Sequence, residues 1–150
     1  MSEAAAPRAS AMRTAFAEMP LVLKGVTSFF GAFGAVSLLL CLAPGMEHRV
    51  AGARLTTGEL WESGLGPAAL VLGLWLLACA LGLLRRAALA GWGVVLAYPV
   101  LAGVELGAGS PADPARQALL ATAWALAAWA YLFRTRGARA FLRASPRRAP

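Results

Sequence analysis

Charge is scarce in this chain, and four long stretches have none. Only 14% of the 150 residues are charged, against about 25% in soluble domains. Residues 25–43, 63–84, 87–104 and 117–133 contain no Asp, Glu, Lys or Arg. A hydrocarbon core of ~30 Å takes roughly 17–25 apolar residues in helical form. A water-soluble fold would have to bury all four stretches, and so short a chain has too few polar segments to cover them.

Other scarcities exclude chemistry. His48 is the single histidine. With Glu47 beside it, it falls short of the three or four ligands a zinc site needs, so no metal is expected. The two cysteines, Cys41 and Cys79, lie in apolar stretches. Cys79 sits about 12 residues, or ~18 Å at helical rise, below the outer end of its span, while Cys41 is near the outer end of its own. A disulfide requires Cα atoms within about 7 Å. A thiol oxidoreductase, which would want a C-x-x-C pair, is therefore disfavoured, and both cysteines read as small buried apolar residues. No phosphate-binding glycine loop, H-E-x-x-H or G-x-S-x-G occurs. The residues imply no cofactor and no catalytic constellation.

What is present predicts an all-α fold: a transmembrane four-helix bundle with spans at about 21–43, 66–84, 87–106 and 117–133. Residues 1–19 are read as a frayed N-terminal tail, with a short interfacial helix carrying Met12, Phe16 and Met19 as the alternative. Residues 134–150 are read as a basic tail. The first apolar run is too long for a signal peptide's ~7–15-residue core, and Pro44 after Ala43 is a poor cleavage context. Leu40 before Cys41 is too large for a lipoprotein site. An uncleaved first span is expected.

The arginines orient these spans. Arg8, Arg13, Lys24, Arg85, Arg86 and the six arginines from Arg134 to Arg148 all fall on one side; only Arg49, Arg54 and Arg116 fall on the other. The positive-inside rule then places both termini in the cytoplasm. Lys24, Arg85, Arg86, Arg134, Arg136, Arg139 and Arg143 are the expected topology and lipid anchors. Arg136, Arg139, Arg143 and Arg147 share a helical face that suits anionic headgroups. Membrane phosphates are adjacent and the tail is short, so nucleic acid is not an expected partner.

Local signals refine the spans. Pro20 suits a helix start, and Pro44-Gly45 a stop. Thr56 and Glu59 have capping-box spacing, predicting a short helix over Thr57–Ser63 within an otherwise ordinary outer loop. Arg85-Arg86 leaves so short a turn that the second and third spans must be antiparallel neighbours. Pro99 is expected to kink the third. Small-xxx-small spacings nominate Gly31 with Ala35, Ala78 with Gly82, Ala87 with Gly91, Gly93 with Ala97, and Gly103 with Gly107 as helix-packing positions.

Glu105 is the one candidate functional carboxylate, since ionisable groups in a membrane are costly. Lying about 19 residues past Arg86, it belongs near the outer interface, where it could equally pair with Arg116, Arg49 or Arg54.

Pro20-Leu21, Gly82-Leu83-Leu84-Arg85-Arg86, and Tyr131-Leu132-Phe133-Arg134 before Arg139-Ala140-Phe141 give the chain a resemblance to small bacterial four-span membrane proteins of no assigned activity. Many of these carry a tryptophan beside the basic pair; here Ala87-Ala88 follows and Trp92 comes later. The resemblance implies a bacterial inner-membrane location and no site residues. In span count the chain also resembles small multidrug exporters, but those place a carboxylate within the first span, which has none here. The leading expectation is a non-enzymatic accessory or scaffold subunit with a membrane-protein partner or a second copy. A small oligomeric transporter is the alternative and a membrane enzyme the third reading. Proton or cation flux left unchanged by Glu105→Gln would count against the transporter.

Overall fold

The computed structural model describes residues 6–43, 47–50, 53–107 and 113–144, and side chains within 11–43, 47, 54–103 and 113–144. Nearly all of this is helix. The order is α1 (Ala6–Glu18), α2 (Leu21–Leu42), β1 (Glu47–Val50), β2 (Ala53–Thr56), α3 (Thr57–Glu62), α4 (Leu65–Leu84), α5 (Ala88–Gly107), α6 (Pro114–Arg134) and α7 (Arg136–Arg143).

The four long helices pack in chain order, α2 on α4, α4 on α5, and α5 on α6. Two of them, Leu21–Leu42 and Leu65–Leu84, are long and apolar enough to cross a membrane. A third span results if α6 and α7, bent by 68° at their junction, count as one, and Ala88–Gly103 is a shorter apolar stretch. Alanine dilutes the hydropathy of α6, and Arg116 and Gln117 lie in its first turn.

The outward faces are apolar. Phe29 is 62% exposed, and Val36, Leu39, Val71, Leu74, Leu96 and Leu126 are exposed with it. The core lies inside the helices and toward the basic end, where Met19, Leu23, Leu83, Leu132, Ala138 and Phe141 join one cluster with Phe30, Leu76 and Val94. Leu83 is wholly buried.

The tightest contact is between α2 and α4. A Cβ added at Gly34 would stand 2.8 Å from the Gly73 carbonyl oxygen and 3.1 Å from the Leu77 nitrogen. One added at Gly73 would stand 3.1 Å from the Gly34 oxygen. Two backbones thus meet where neither residue has a side chain.

Two tryptophans brace α5. The Trp75 indole donates to the Gly93 carbonyl at 3.3 Å and the Trp124 indole to the Val94 carbonyl at 3.1 Å. These carbonyls lie just ahead of Val95, whose own carbonyl Pro99 leaves without its helical N–H donor.

Three expectations are corrected. The N-terminal segment is a helix, α1, with Ala15 and Met19 buried against the bundle. Alanine is the strongest helix former, and tertiary contact supplies what a lone 13-residue helix lacks. The loop between α2 and α3 contains a hairpin, β1 antiparallel to β2 with Glu47 opposite Thr56 and Arg49 opposite Arg54. Four-residue strands are too short for alternation to reveal. The basic tail, finally, is partly the packed helix α7, with Ala138 and Phe141 buried.

The predicted helix after the hairpin is present as α3, with both halves of its capping box made. It covers the end of α2. The Trp61 indole donates to the Cys41 carbonyl at 2.9 Å, and the Thr57 hydroxyl to the Ala43 carbonyl at 3.0 Å. The last carbonyls of any helix lack intrahelical partners, and here α3 supplies two donors. Gly64, in the left-handed region at φ 80°, turns the chain from α3 into α4. Trp61→Phe keeps the ring but loses the indole donor. It should cost about 1 kcal/mol, read as a lowered Tm with faster amide exchange confined to α3.

The Glu59 carboxylate accepts from the Thr56 backbone N–H at 2.7 Å and from the Thr56 hydroxyl at 2.9 Å. These bonds, the backbone one first, hold its pKa below the ordinary 4.5. A folded pKa below the unfolded one contributes stability that is present above the unfolded value and lost as pH falls through the folded one. Acidification from neutral to below the ordinary glutamate range should therefore loosen α3. Amide protection at Thr57–Glu59, relative to the unstructured rate at each pH, should fall over that range, and Glu59→Gln should flatten the response.

Candidate functional site at the basic end of the bundle

The turn between α4 and α5 carries the molecule's most unusual backbone. Arg86, at φ 57°, is the one non-glycine residue with positive φ among the described residues. Ala87 N–H donates to the Gly82 carbonyl at 2.8 Å and Arg86 N–H to the Leu83 carbonyl at 2.9 Å. This is a Schellman ending, whose left-handed position is usually filled by glycine. An arginine there costs about 1–2 kcal/mol of local strain.

The side chain has a use. It is 13% exposed, and its guanidinium pairs with Glu18 at the end of α1. It also lies over the Phe141 ring of α7, 4.9 Å from the centroid. One residue thus joins the first helix, the α4–α5 turn and the last helix. Two further cations at this end sit near rings: Lys24 at 6.0 Å from Phe16 and Arg134 at 5.2 Å from Trp129. Such contacts contribute roughly 0.5–1 kcal/mol where exposed.

Helix α7 closes this end. The Gly137 Cβ position lies 3.9 Å from Pro20 Cγ, and the Gly91 Cβ position 3.7 Å from Leu142 Cδ1. The helix therefore reaches from the start of α2 to the first turns of α5. Arg85, Arg136, Arg139 and Arg143 are exposed around it. No family model, curated protein or solved structure matches the chain.

The nominated packing positions divide. A Cβ at Gly31 would meet Ala80 Cβ at an ordinary 3.9 Å, and Ala35 is half-buried. Gly82 is held by the turn, its Cβ position 2.7 Å from Ala90 Cβ. Ala78 is exposed, because Leu76, Cys79, Ala80 and Leu83 take the core side of α4. Gly103 is exposed with nothing within 4 Å of its Cβ position. Among the described residues, Ala78 and Gly103 thus meet no neighbouring helix closely. Spacing alone flags small residues on every face of a helix, and only the face turned to a neighbour packs. The sequence reading missed Gly34 and Gly73. Gly93, nominated by its spacing with Ala97, is tightly packed: its Cβ position collides with the Cys79 sulfur.

Pro99 lies inside α5 as expected. The side chains of Glu105 and His48, and the surroundings of Gly107, lie outside the described residues. Arg54 pairs with Glu47 at 3.6 Å, both well exposed, which is worth little. Both cysteines are buried and free. Among the described residues no three His, Cys, Asp or Glu side chains gather as for a metal.

Proposed function

We propose that the chain is a four-span protein of the bacterial cytoplasmic membrane with both termini inside. In this reading it works as a non-enzymatic accessory or scaffold subunit through helix–helix contacts. The arginine distribution supports the orientation. The lengths and apolar outer faces of the helices support the bilayer location.

The observation that carries the scaffold reading is the outer face of α2. Val22, Gly25, Phe29, Ala32, Val36 and Leu39 are all exposed, and their spacing alternates between three and four residues. Large and small residues alternate along this seam from Val22 to Val36. Nothing lies within 4 Å of the Gly25 Cβ position. Lipid provides no hydrophobic force between helices, so a seam of this kind gains most by close approach to another helix.

A photocrosslinking residue placed at Phe29 or Val36 should give a discrete protein adduct in membranes, with a partner or a second copy. A crosslinker on α5 at Val100 serves as the comparison. Adducts with lipid alone at all three positions would defeat the scaffold reading. Reporter fusions after residue 150 and within residues 51–52 test the orientation: cytoplasmic and external signals, respectively, are expected.

A further inference from the structure

We infer that the basic end, with α7 at its centre, is a docking surface for the anionic phospholipid headgroups of the bilayer. The inference rests on the membrane-spanning reading above and deepens it. Three independent observations carry it.

The first is the direction of α7. It departs from α6 by 68°, so a chain that has crossed the bilayer along α6 turns to run along its surface. Trp129 and Tyr131, in the last turns of α6, are the kind of residue that sits at headgroup level. Arg134 follows them directly.

The second is the division of faces. At ~100° per residue, Arg136, Arg139 and Arg143 fall within an arc of about 60°. Ala138 and Phe141, buried in the bundle, take the opposite side. Internal packing thus fixes which way the arginines face. A freely rotating tail would present no such face.

The third is the division of labour among the cations. Arg86 is used within the fold, on Glu18 and Phe141. Arg85, Arg136, Arg139 and Arg143 are exposed and have no ion-pair partner among the described residues. Glu18 is the one acidic side chain described at this end, and Arg86 takes it. Among the described residues this surface therefore carries uncompensated positive charge at the depth where lipid phosphates lie, and guanidinium binds phosphate with paired, directional hydrogen bonds. An acidic protein segment would match the charge, but it would have to displace phosphates already beside the site.

The test compares the purified full chain in nanodiscs of phosphatidylcholine alone with discs containing phosphatidylglycerol. The wild-type Tm should be about 4–8 °C higher with phosphatidylglycerol. The gap should close at about 1 M salt, where screening acts within ~3 Å. The double variant Arg139→Gln/Arg143→Gln should match wild type in phosphatidylcholine and lose most of the gap. Both residues are exposed and outside the core, so the variant should fold. Equal wild-type Tm in the two lipids would overturn the inference, as would a gap that survives the double substitution. So would a Tm that responds to polyglutamate and not to phosphatidylglycerol, which would assign the surface to an acidic protein. Failure of the chain to enter discs at all would overturn this inference and the membrane reading together, whereas failure of the α2 crosslinks leaves the lipid result standing.

Discussion

Gly34→Ala should destabilise the folded chain by about 2–3 kcal/mol, the upper part of the range for overpacking. The added methyl would stand 2.8 Å from the Gly73 carbonyl oxygen and 3.1 Å from the Leu77 nitrogen. Both are backbone atoms of a packed helix, so no side-chain rotation relieves the clash. The helices must separate, and the loss spreads along the α2–α4 contact, the most extensive between helices in the fold. Gly73→Ala should behave alike. The double substitution should cost less than the sum, because helices already parted by the first methyl accommodate the second. Two controls sit on the same helix. Gly31→Ala meets Ala80 at 3.9 Å and Gly25→Ala meets nothing within 4 Å, so both should be close to neutral. Unfolding midpoints in bicelles or mixed micelles give the comparison. A Gly34→Ala variant as stable as Gly25→Ala would show that the close crossing does not hold the pair together.

Arg86→Gly should also destabilise, although glycine suits the backbone at that position better than arginine does. The left-handed strain of about 1–2 kcal/mol would be relieved. Against that stand the Glu18 ion pair, the cation–ring contact with Phe141 and the packing of a side chain that is only 13% exposed. Breaking a buried pair costs about 3–5 kcal/mol. Glu18 is 44% exposed, so the loss here should be smaller, leaving a net cost of about 1–2 kcal/mol once the strain relief is counted. The location of the effect is as diagnostic as its size. Amide exchange should accelerate in α1 and α7 while the middle of α2 and α4 stays protected. Arg86→Lys should fall between, keeping the charge but not the planar fork. A more stable Arg86→Gly protein with unchanged exchange in α1 and α7 would mean that the side chain is not what keeps an arginine in this turn.

The long helices were legible because hydrocarbon-facing and buried positions are both apolar, so each whole window stands out. The observed helices start and stop within a few residues of the expected spans. The capping box was legible too, since Thr56 and Glu59 satisfy each other locally and require no knowledge of the rest of the fold. Local chemistry likewise marked Arg85-Arg86 as a tight turn.

Contacts were harder. Gly31 and Gly34 lie on the same helix three residues apart, and both belong to small-residue patterns in a chain with 16 glycines. Only the rotation of α2 against α4 decides that Gly34 meets Gly73. The same rotation turns Ala78 outward. Arg86 reads as one half of a basic anchor, because charge counting weighs Arg85 and Arg86 equally. The turn geometry separates them: Arg85 stays at the surface, while Arg86 folds beneath α1 and α7. Residues 6–18 show no apolar periodicity, and the helical face of Arg136, Arg139 and Arg143 is legible but does not say that Ala138 and Phe141 pack into the bundle.

By itself, the sequence determined the length and apolar character of the helices, the turn at Arg85-Arg86 and the lopsided distribution of positive charge. These depend on composition and on spacing along the chain, which need no partner to be expressed. Tertiary structure decided which small residues touch, which arginine is structural and whether the ends of the chain are tails or helices. Each of those depends on the angle at which one apolar cylinder rests against the next. A chain whose helices are apolar on every side leaves that angle to side-chain shape, and shape is read only once the helices are packed.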